Sequence, residues 1–490
     1  MSFAAGIATA AVHAAEPIDI GSRRELFVDD HLVERREGTR LRLHPPRPAE
    51  IAIRYDQPWE DRVCNYTTVL QDGDTYRMYY RGTYGERTCY AESADGIHWR
   101  KPDLGLVSVD GSSANNVILV DAINFCPFLD PRPGIPRDER FKANAAERSR
   151  PDGGLVGYLS ADGIRWRKLS ETVLVPMSAA TDFDTQNIMF WSEVEQAYLL
   201  YARHMAGGRR ATMRSISKDF RQWTRPVPMT YSDTDSAVPS AHLYNNQTTP
   251  YFRAPHIYVS LPGRISFNDP VHVVREEEKE AAGRRVVPEN LRRFYREHVT
   301  SILQGGLGDY SDGVLLTTRA GTTRYSFSFQ ESFVRPGIGL GNWTTRNNYP
   351  ACGVVQTGPG EMSIYVQRHY GQRTGHLQRM TLRLDGFASL HTPYEGGEMV
   401  TKPLIFEGRE LEINYSTSAA GGIRVEIQDI DGRPAPGFSL AESAKIIGDE
   451  ISRTVVWQKG GDVSRVAGKP VRLRFVMNDA DLYSLRFRKK

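Results

Sequence analysis

The sequence is poor in the features that mark specialised protein classes. Cysteine occurs four times in 490 residues, at positions 64, 89, 126 and 352. No C-x-x-C pair exists and the count is too low for a disulfide scaffold, so a zinc ribbon is excluded and buried free thiols are expected. No run approaches the roughly 18 consecutive apolar residues of a membrane-spanning helix. Charge of neither sign dominates: 62 Lys and Arg face 59 Asp and Glu, a net +3, which gives no reason to propose nucleic acid as a partner. The Arg-rich stretch "GRRATMR" at 208–214 reads as a solvated loop face. There is no G-x-S-x-G elbow, no P-loop and no H-E-x-x-H. The twelve His residues are scattered without a metal-ligand spacing, so neither a metal nor a cofactor is expected.

The N-terminus, "MSFAAGIATAAVHAAEP", is rich in alanine, and "VHA" before Ala15 fits a small-x-small cleavage site. It has no basic n-region. It reads as an export signal with a truncated or misassigned start, or as a disordered tail. On the first reading residues 1–21 are the signal segment and the protein works in the periplasm or outside the cell.

What the sequence does have is a repeat. Residues 93–101 read "SADGIHWRK" and residues 160–168 read "SADGIRWRK", differing only at His98 against Arg165. The first copy follows "YTTVLQDGDTYRMYYRGTYGERTCYAE", three short β-rich runs joined by Gly turns. Ser217, Asp219 and Trp223 keep the same spacing in a third unit. A fourth unit is degenerate, with Thr318, Ala320 and Gly321 in the motif positions, and a fifth runs from Asn347 to Phe387. Four-stranded units recurring every few dozen residues are the signature of a β-propeller. Each Asp is expected to cap a turn between the third and fourth strands, each Gly to take a positive φ, and each Trp to pack between blades.

Two segments depart from the pattern. Residues 270–303 are highly charged with helical stretches, and read as a small surface insertion in blade four that buries little and is dispensable for folding. After about Leu390, alternating runs around Gly turns suggest a β-sandwich. The expected chain is therefore all-β: a five-bladed β-propeller over 22–390 and a β-sandwich over 391–490. The strand-like "ELFVDDHLVE" at 25–34 is expected to pair with the last blade and close the ring.

The stretches "LFVDDHLVE", "FLDPRPGIP", "RFKA", "FDTQNIMFW", "PYFRAPHIY" and "ESFVRPG" resemble a group of bacterial family-32-like glycosidases. That group belongs to the five-bladed glycoside hydrolase superfamily, with families 32 and 43 as relatives. The resemblance covers residues 22–390. It implies an enzyme that cleaves O-glycosyl bonds of an oligo- or polysaccharide with carboxylates on the inner strands of the first three blades. By position these are Glu60 or Asp61, Asp130, and Asp184 with its neighbour Asp182. The chain departs from family 32 in lacking its Asn-Asp-Pro-Asn motif and Glu-Cys pair. The repeats also look like the sialidase Asp box, with one residue fewer between Asp and Trp, but no sialidase arginine triad or Tyr/Glu pair can be placed.

Further candidates come from the residues themselves. Arg253 and His256 in "YFRAPHIY" offer a planar donor fork beside aromatics. Glu331 and Arg335 stand at the fourth-to-fifth blade crossing, with Glu331 a reserve catalytic acid. Trp343 and Asn348 enter the fifth inner strand, Trp343 as a sugar platform. Asp184 is the expected general acid, its proton retained by apolar surroundings. Two other readings remain open: a propeller that binds carbohydrate without catalysis, and a lyase on acidic sugars. The lyase would need a Tyr or His base beside a neutralising Arg such as Arg253.

Overall fold

A computed structural model describes residues 16–83, 87–148, 152–178, 183–266, 289–300 and 309–489. Among the described residues the chain is all-β, apart from short 3-10 turns and one α-helix, α1 (Glu289–His298). It divides into two compact units. One comprises residues 43–387, and the other joins the N-terminal residues up to 42 with residues from 388 onward.

In the larger unit, antiparallel sheets follow one another in chain order. The first contains Asn65–Asp72, Thr75–Arg81, Thr88–Ser93 and Val117–Leu119. The second runs through Ile123–Leu129, Phe141–Glu147, Gly154–Ser160 and Arg167–Lys168, and the third through Ile188–Ser192, Ala197–Ala206, Arg209–Ser217 and Val227–Pro228. The fourth region splits into two three-stranded sheets, one starting at Thr249–Tyr251 and the other at His242–Leu243. The last sheet holds Val355–Gln356, Glu361–Arg368 and His376–Arg383, and is completed by Arg47–Arg54 from the start of the unit.

That completing strand is a correction to the sequence reading, which gave the role to 25–34. Glu25–Leu26 pairs instead with Arg472–Arg488, and Val33–Glu37 with Gly397–Thr401, all in the smaller unit. The reason is hydrophobic burial. Phe27, Leu32 and Val33 sit in one core with Phe406, Phe475 and Phe487, whereas Ala52 and Ile53 of Arg47–Arg54 bury against Tyr365 and Leu377 of the last sheet.

The nine-residue repeat is a turn motif, as expected. Asp95 Oδ1 accepts from the backbone N–H of Ile97 and His98, and Asp162 Oδ1 accepts from Ile164 and Arg165. Gly96 and Gly163 take φ of 72° and 73°, where a Cβ is unfavourable. In the third copy Phe220 occupies this position at 68°. The indole N–H of Trp99, Trp166 and Trp223 donates to the carbonyl of that same residue in each copy. Trp99 packs edge-on to Tyr365 of the last sheet and Trp166 to Tyr79 of the first. The tryptophans thus join neighbouring sheets.

α1 overturns the expectation for the insertion. Residues 270–288 and 301–303 lie outside the described residues, but Leu291, Tyr295 and Val299 form an i, i+4, i+8 stripe, all buried against Val63 and Tyr370. The Tyr295 hydroxyl accepts from the backbone N–H of Thr345. High charge hid a stripe only three residues long.

The smaller unit is built on two long antiparallel strands, Glu410–Gln428 and Arg472–Arg488. Its core includes Ile413, Val425, Trp457 and Phe475. Within it Arg24 and Glu412, both buried, pair at 2.6 Å, and Arg486 reaches the same carboxylate at 2.9 Å.

Candidate functional site

The first strands of the sheets in the larger unit meet along one line. Gln186 Nε2 donates to Thr68 Oγ1 at 2.7 Å, and Gln247 Nε2 donates to Gln186 Oε1 at 2.9 Å and to the Pro350 carbonyl at 3.2 Å. Thr68 Oγ1 lies 3.6 Å from Cys126 Sγ. The backbones of Thr67 and Val69 exchange hydrogen bonds with Cys352. One residue from each sheet region thus touches a common axis. All four cysteines are buried and free, as the sequence suggested.

The backbone is unusual where these strands begin. Tyr66, Asn124, Phe183, Gln247 and Asn348 all have φ between 50° and 62°. Each is a non-glycine residue in the left-handed region, a conformation that costs of order 1 kcal/mol and collects at functional sites. In the first two sheets the register slips at this point, between Asn65 and Thr68 and between Ile123 and Cys126. The slip turns side chains that would otherwise follow the strand alternation.

A cluster of tyrosines and arginines gathers at this end. Tyr66, Tyr244 and Tyr349 pack together with Ile265, and the rings of Tyr244 and Tyr349 lie 5.1 Å apart. Arg203 and Arg210 place their guanidinium carbons 5.8 and 5.3 Å from the Tyr244 ring centre. Arg81 stands 4.8 Å from the Tyr66 ring and donates to the Tyr370 hydroxyl at 3.1 Å. Arg346, itself at φ 55°, acts electrostatically on Tyr244, Tyr370, Tyr349 and Tyr66. No ion pair joins Arg346 to a carboxylate among the described residues. Asn124 adds a buried side-chain amide whose oxygen and nitrogen have no hydrogen-bond partner among the described residues.

Burial pushes the phenols of Tyr66, Tyr349 and Tyr370 up. Tyr244 goes the other way. Burial works against its phenolate, but Arg346 and Arg203 outweigh that and hold it below the ordinary tyrosine value. In return Tyr244, first among the surrounding phenols, raises Arg346.

Asp184 is the predicted acid that stands in this cluster. It tops a turn closed by Asn187, whose Nδ2 donates to the carbonyls of Phe183 and Thr185. Arg148 reaches it at 2.9 Å and Arg203 at 3.4 Å, and its side chain is 48% exposed. Its surroundings are therefore water and two guanidinium groups, not the apolar contacts that the general-acid expectation assumed. Asp182 lies outside the described residues.

The other predicted acids have different partners. Glu60 is fully buried, bound to Lys101 at 2.7 Å and to the Tyr80 hydroxyl. Asp61 accepts from the Val63 N–H. Asp130, beyond the far end of Ile123–Leu129, is buried between Lys142 at 2.9 Å and Arg132 at 3.1 Å, with the Tyr198 hydroxyl donating to it. Glu331 and Arg335 are exposed. Arg253 pairs with buried Asp385 at 3.3 Å, and His256 is buried in Ala254–Ser260. Asn348 is close to the cluster, accepting from Arg368 and donating to the Ser311 carbonyl. Trp343, three residues before Arg346, is 41% exposed.

Tyr66, Tyr244, Arg81 and Arg203 were not singled out from the sequence. A faint signal was present. Asn stands beside an aromatic residue at Asn65-Tyr66, Asn124-Phe125, Tyr244-Asn245 and Asn348-Tyr349, each time where a first strand starts.

A cavity of about 400 Å³ opens at the opposite ends of these strands, lined by Leu70, Phe128, Met189, Trp191, Phe252 and Val354, with Glu193 its one charged residue. A larger one of about 820 Å³ lies in the smaller unit among glycines and charged side chains and has no aromatic lining. Neither has the convergent polar groups of the tyrosine–arginine cluster. Among the described residues, no three His, Cys, Asp or Glu side chains gather as a metal site would need.

No family model matches the chain. Two uncharacterized proteins of Mycobacterium tuberculosis, from strains CDC 1551 and H37Rv, are each 32% identical over 121 residues, 22% of this chain. The chain matches 34% of the length of these curated relatives. Among solved structures, one described as a glycoside hydrolase is similar at TM-score 0.44 and 13% identity, over 69% of this chain and 92% of that one. A thermostable family-43 glycoside hydrolase gives 0.41 at 10% identity, over 67% and 89%. The Bombyx mori family-32 β-fructofuranosidase gives 0.39 at 10%, over 91% and 94%. All three scores are below 0.5, and the functional reading rests on the residues of the cluster.

Proposed function

We propose that the protein is a carbohydrate-active enzyme that cleaves a glycosidic bond of an oligo- or polysaccharide at the tyrosine–arginine end of the larger unit. In this reading the sheets of that unit are the blades of a five-bladed propeller, and the smaller unit is a β-sandwich. The meeting of first strands and the completion of the last sheet by Arg47–Arg54 support the propeller. Export through the Ala-rich N-terminal stretch belongs to the same proposal.

The observation that carries the reading is the Arg203 guanidinium, 5.8 Å from the centre of the Tyr244 ring and 3.4 Å from Asp184, with Arg346 also acting electrostatically on Tyr244. A phenol kept low by cations is a poised nucleophile or base. In hydrolysis, the Tyr244 oxygen bonds to the anomeric carbon as the bond to the leaving oxygen breaks and that oxygen takes a proton through Asp184; water then adds to the anomeric carbon, gives its proton back to Asp184 and displaces Tyr244. A second reading, elimination, is favoured by one specific observation. Asp184 lies between two guanidinium groups, so it is not the apolar-set acid that a paired-carboxylate hydrolase needs. In that reaction Tyr244 takes a proton from the carbon beside a sugar carboxylate, and the oxygen two bonds away departs.

A glycan panel tests both readings. Reducing ends without new ultraviolet absorbance indicate hydrolysis, and reducing ends with the absorbance of a conjugated double bond indicate elimination. Binding without either product indicates a carbohydrate-binding propeller.

A further inference from the structure

We infer that Arg346 is the receptor for a carboxylate on the sugar, so that the ligand class of this site is acidic glycans containing hexuronic acid. The inference rests on the reading that this end of the larger unit takes carbohydrate, and it names the sugar class.

Three observations carry it. The first is that Arg346 pairs with no carboxylate among the described residues. Three other inward cations of this unit have carboxylate partners, Arg214 with Glu195, Lys142 with Asp130 and Arg253 with Asp385, and buried Arg368 is taken up by Asn348 and the carbonyls of Arg335 and Pro336. Arg346, only partly exposed, faces phenols instead. A guanidinium withdrawn from water needs anionic company, and its planar fork fits a carboxylate with two parallel hydrogen bonds.

The second is that its position is built. Arg346 has φ 55°, outside the region ordinary residues prefer. The residues on either side are anchored. Thr345 N–H donates to the Tyr295 hydroxyl of α1, and Asn347 donates to the Gly341 carbonyl at 2.7 Å and to Thr344 Oγ1 at 2.6 Å. α1 thus fixes the backbone that carries the receptor.

The third is the surrounding chemistry. Arg203 and Arg210 bring further positive charge to the Tyr244 ring, and Asn124 offers an unpartnered donor and acceptor. Asp184, already shared by Arg148 and Arg203, leaves Arg346 unclaimed. Trp343, three residues before Arg346 and exposed, supplies a ring face for a pyranose. A neutral sugar would use that face but leave the guanidinium unmatched.

The test is calorimetric titration of the full chain with methyl glucuronoside and methyl galacturonoside, and with the matching neutral glucoside and galactoside. At least one uronoside is expected to bind about 10- to 100-fold tighter than its neutral counterpart, the range of a charge-assisted hydrogen-bonded contact. Arg346→Gln should remove that preference, and Arg346→Lys should restore part of it. If Arg346→Gln does not fold, the wild-type preference and its reduction in Arg346→Lys decide the matter. Equal affinity for charged and neutral sugars overturns the inference, as does acetate competing as well as the uronoside. Uronoside binding without cleavage of any acidic glycan supports the inference and removes the catalytic reading. Cleavage of neutral glycans with uronosides ignored does the reverse.

Discussion

The guanidinium carbon of Arg203 lies 5.8 Å from the centre of the Tyr244 ring, and the same group reaches Asp184 at 3.4 Å. One cation from the third sheet therefore joins the phenol and the carboxylate to which the proposed chemistry is assigned.

Tyr244 is the first test. Its folded-state pKa lies below the ordinary tyrosine value. The anionic form is thus favoured by folding. This contribution is fully present above the ordinary tyrosine pKa and is lost as pH falls through the depressed folded value. Ultraviolet pH titration of wild type against Tyr244→Phe should reveal one tyrosinate forming at lower pH than the rest. Arg346→Gln should move it upward. Activity should rise with pH through the same transition, and Tyr244→Phe should reduce turnover by at least about 10²-fold.

Asp184→Asn should also lower turnover by about 10²-fold or more while thermal stability stays nearly the same. A half-exposed ion pair contributes about 0–1 kcal/mol, so unfolding of the variant would mark a structural turn instead. Parallel Glu60→Gln and Asp130→Asn variants should lose stability, since each takes the nearer, buried carboxylate from a lysine: Lys101 keeps only Asp56 at 3.3 Å, and Lys142 keeps only Glu139 at 3.6 Å.

Tyr295 ties α1 to the loop of Arg346. Tyr295→Ala removes a buried aromatic residue and should cost about 3–5 kcal/mol in denaturant unfolding. Tyr295→Phe keeps the packing and loses only the hydrogen bond to Thr345. It should raise KM for an acidic substrate more than it lowers kcat.

In the smaller unit, burial opposes the Glu412 carboxylate, but Arg486, Ser452 and Arg24 pull its pKa down to about 2. The resulting stability is complete above the usual glutamate range and is lost as pH falls toward 2. Acid unfolding followed by circular dichroism should show this loss in wild type and a much flatter response in Glu412→Gln.

The sequence showed what was local. The Asp turns were legible because Ser93, Asp95, Gly96 and Trp99 close on one another within seven residues. Asp162→Ala should cost about 1–2 kcal/mol through two lost backbone hydrogen bonds and leave activity unchanged. The cluster was illegible because Tyr66, Arg203, Tyr244 and Arg346 come from different regions of the chain, and left-handed backbone at Tyr66 and Arg346 sets how the chain carries those two. Strand alternation read from sequence cannot anticipate that. Glu60 and Asp130 were candidates by position, yet position does not reveal that Lys101 and Lys142 would claim them. The strand-like stretch 25–34 contributes to two short strands, Glu25–Leu26 and Val33–Glu37, and its apolar side chains fit another core.

The central claim is that a glycosidic bond is placed between Tyr244 and Asp184. A crystal structure of the Asp184→Asn variant soaked with an oligosaccharide tests it most directly. The account predicts a sugar ring at the tyrosine–arginine end, with the Tyr244 oxygen about 3–3.5 Å from the atom it attacks or deprotonates. A sugar seated instead in the cavity beside Phe128 and Trp191, or in the cavity of the smaller unit, would contradict it.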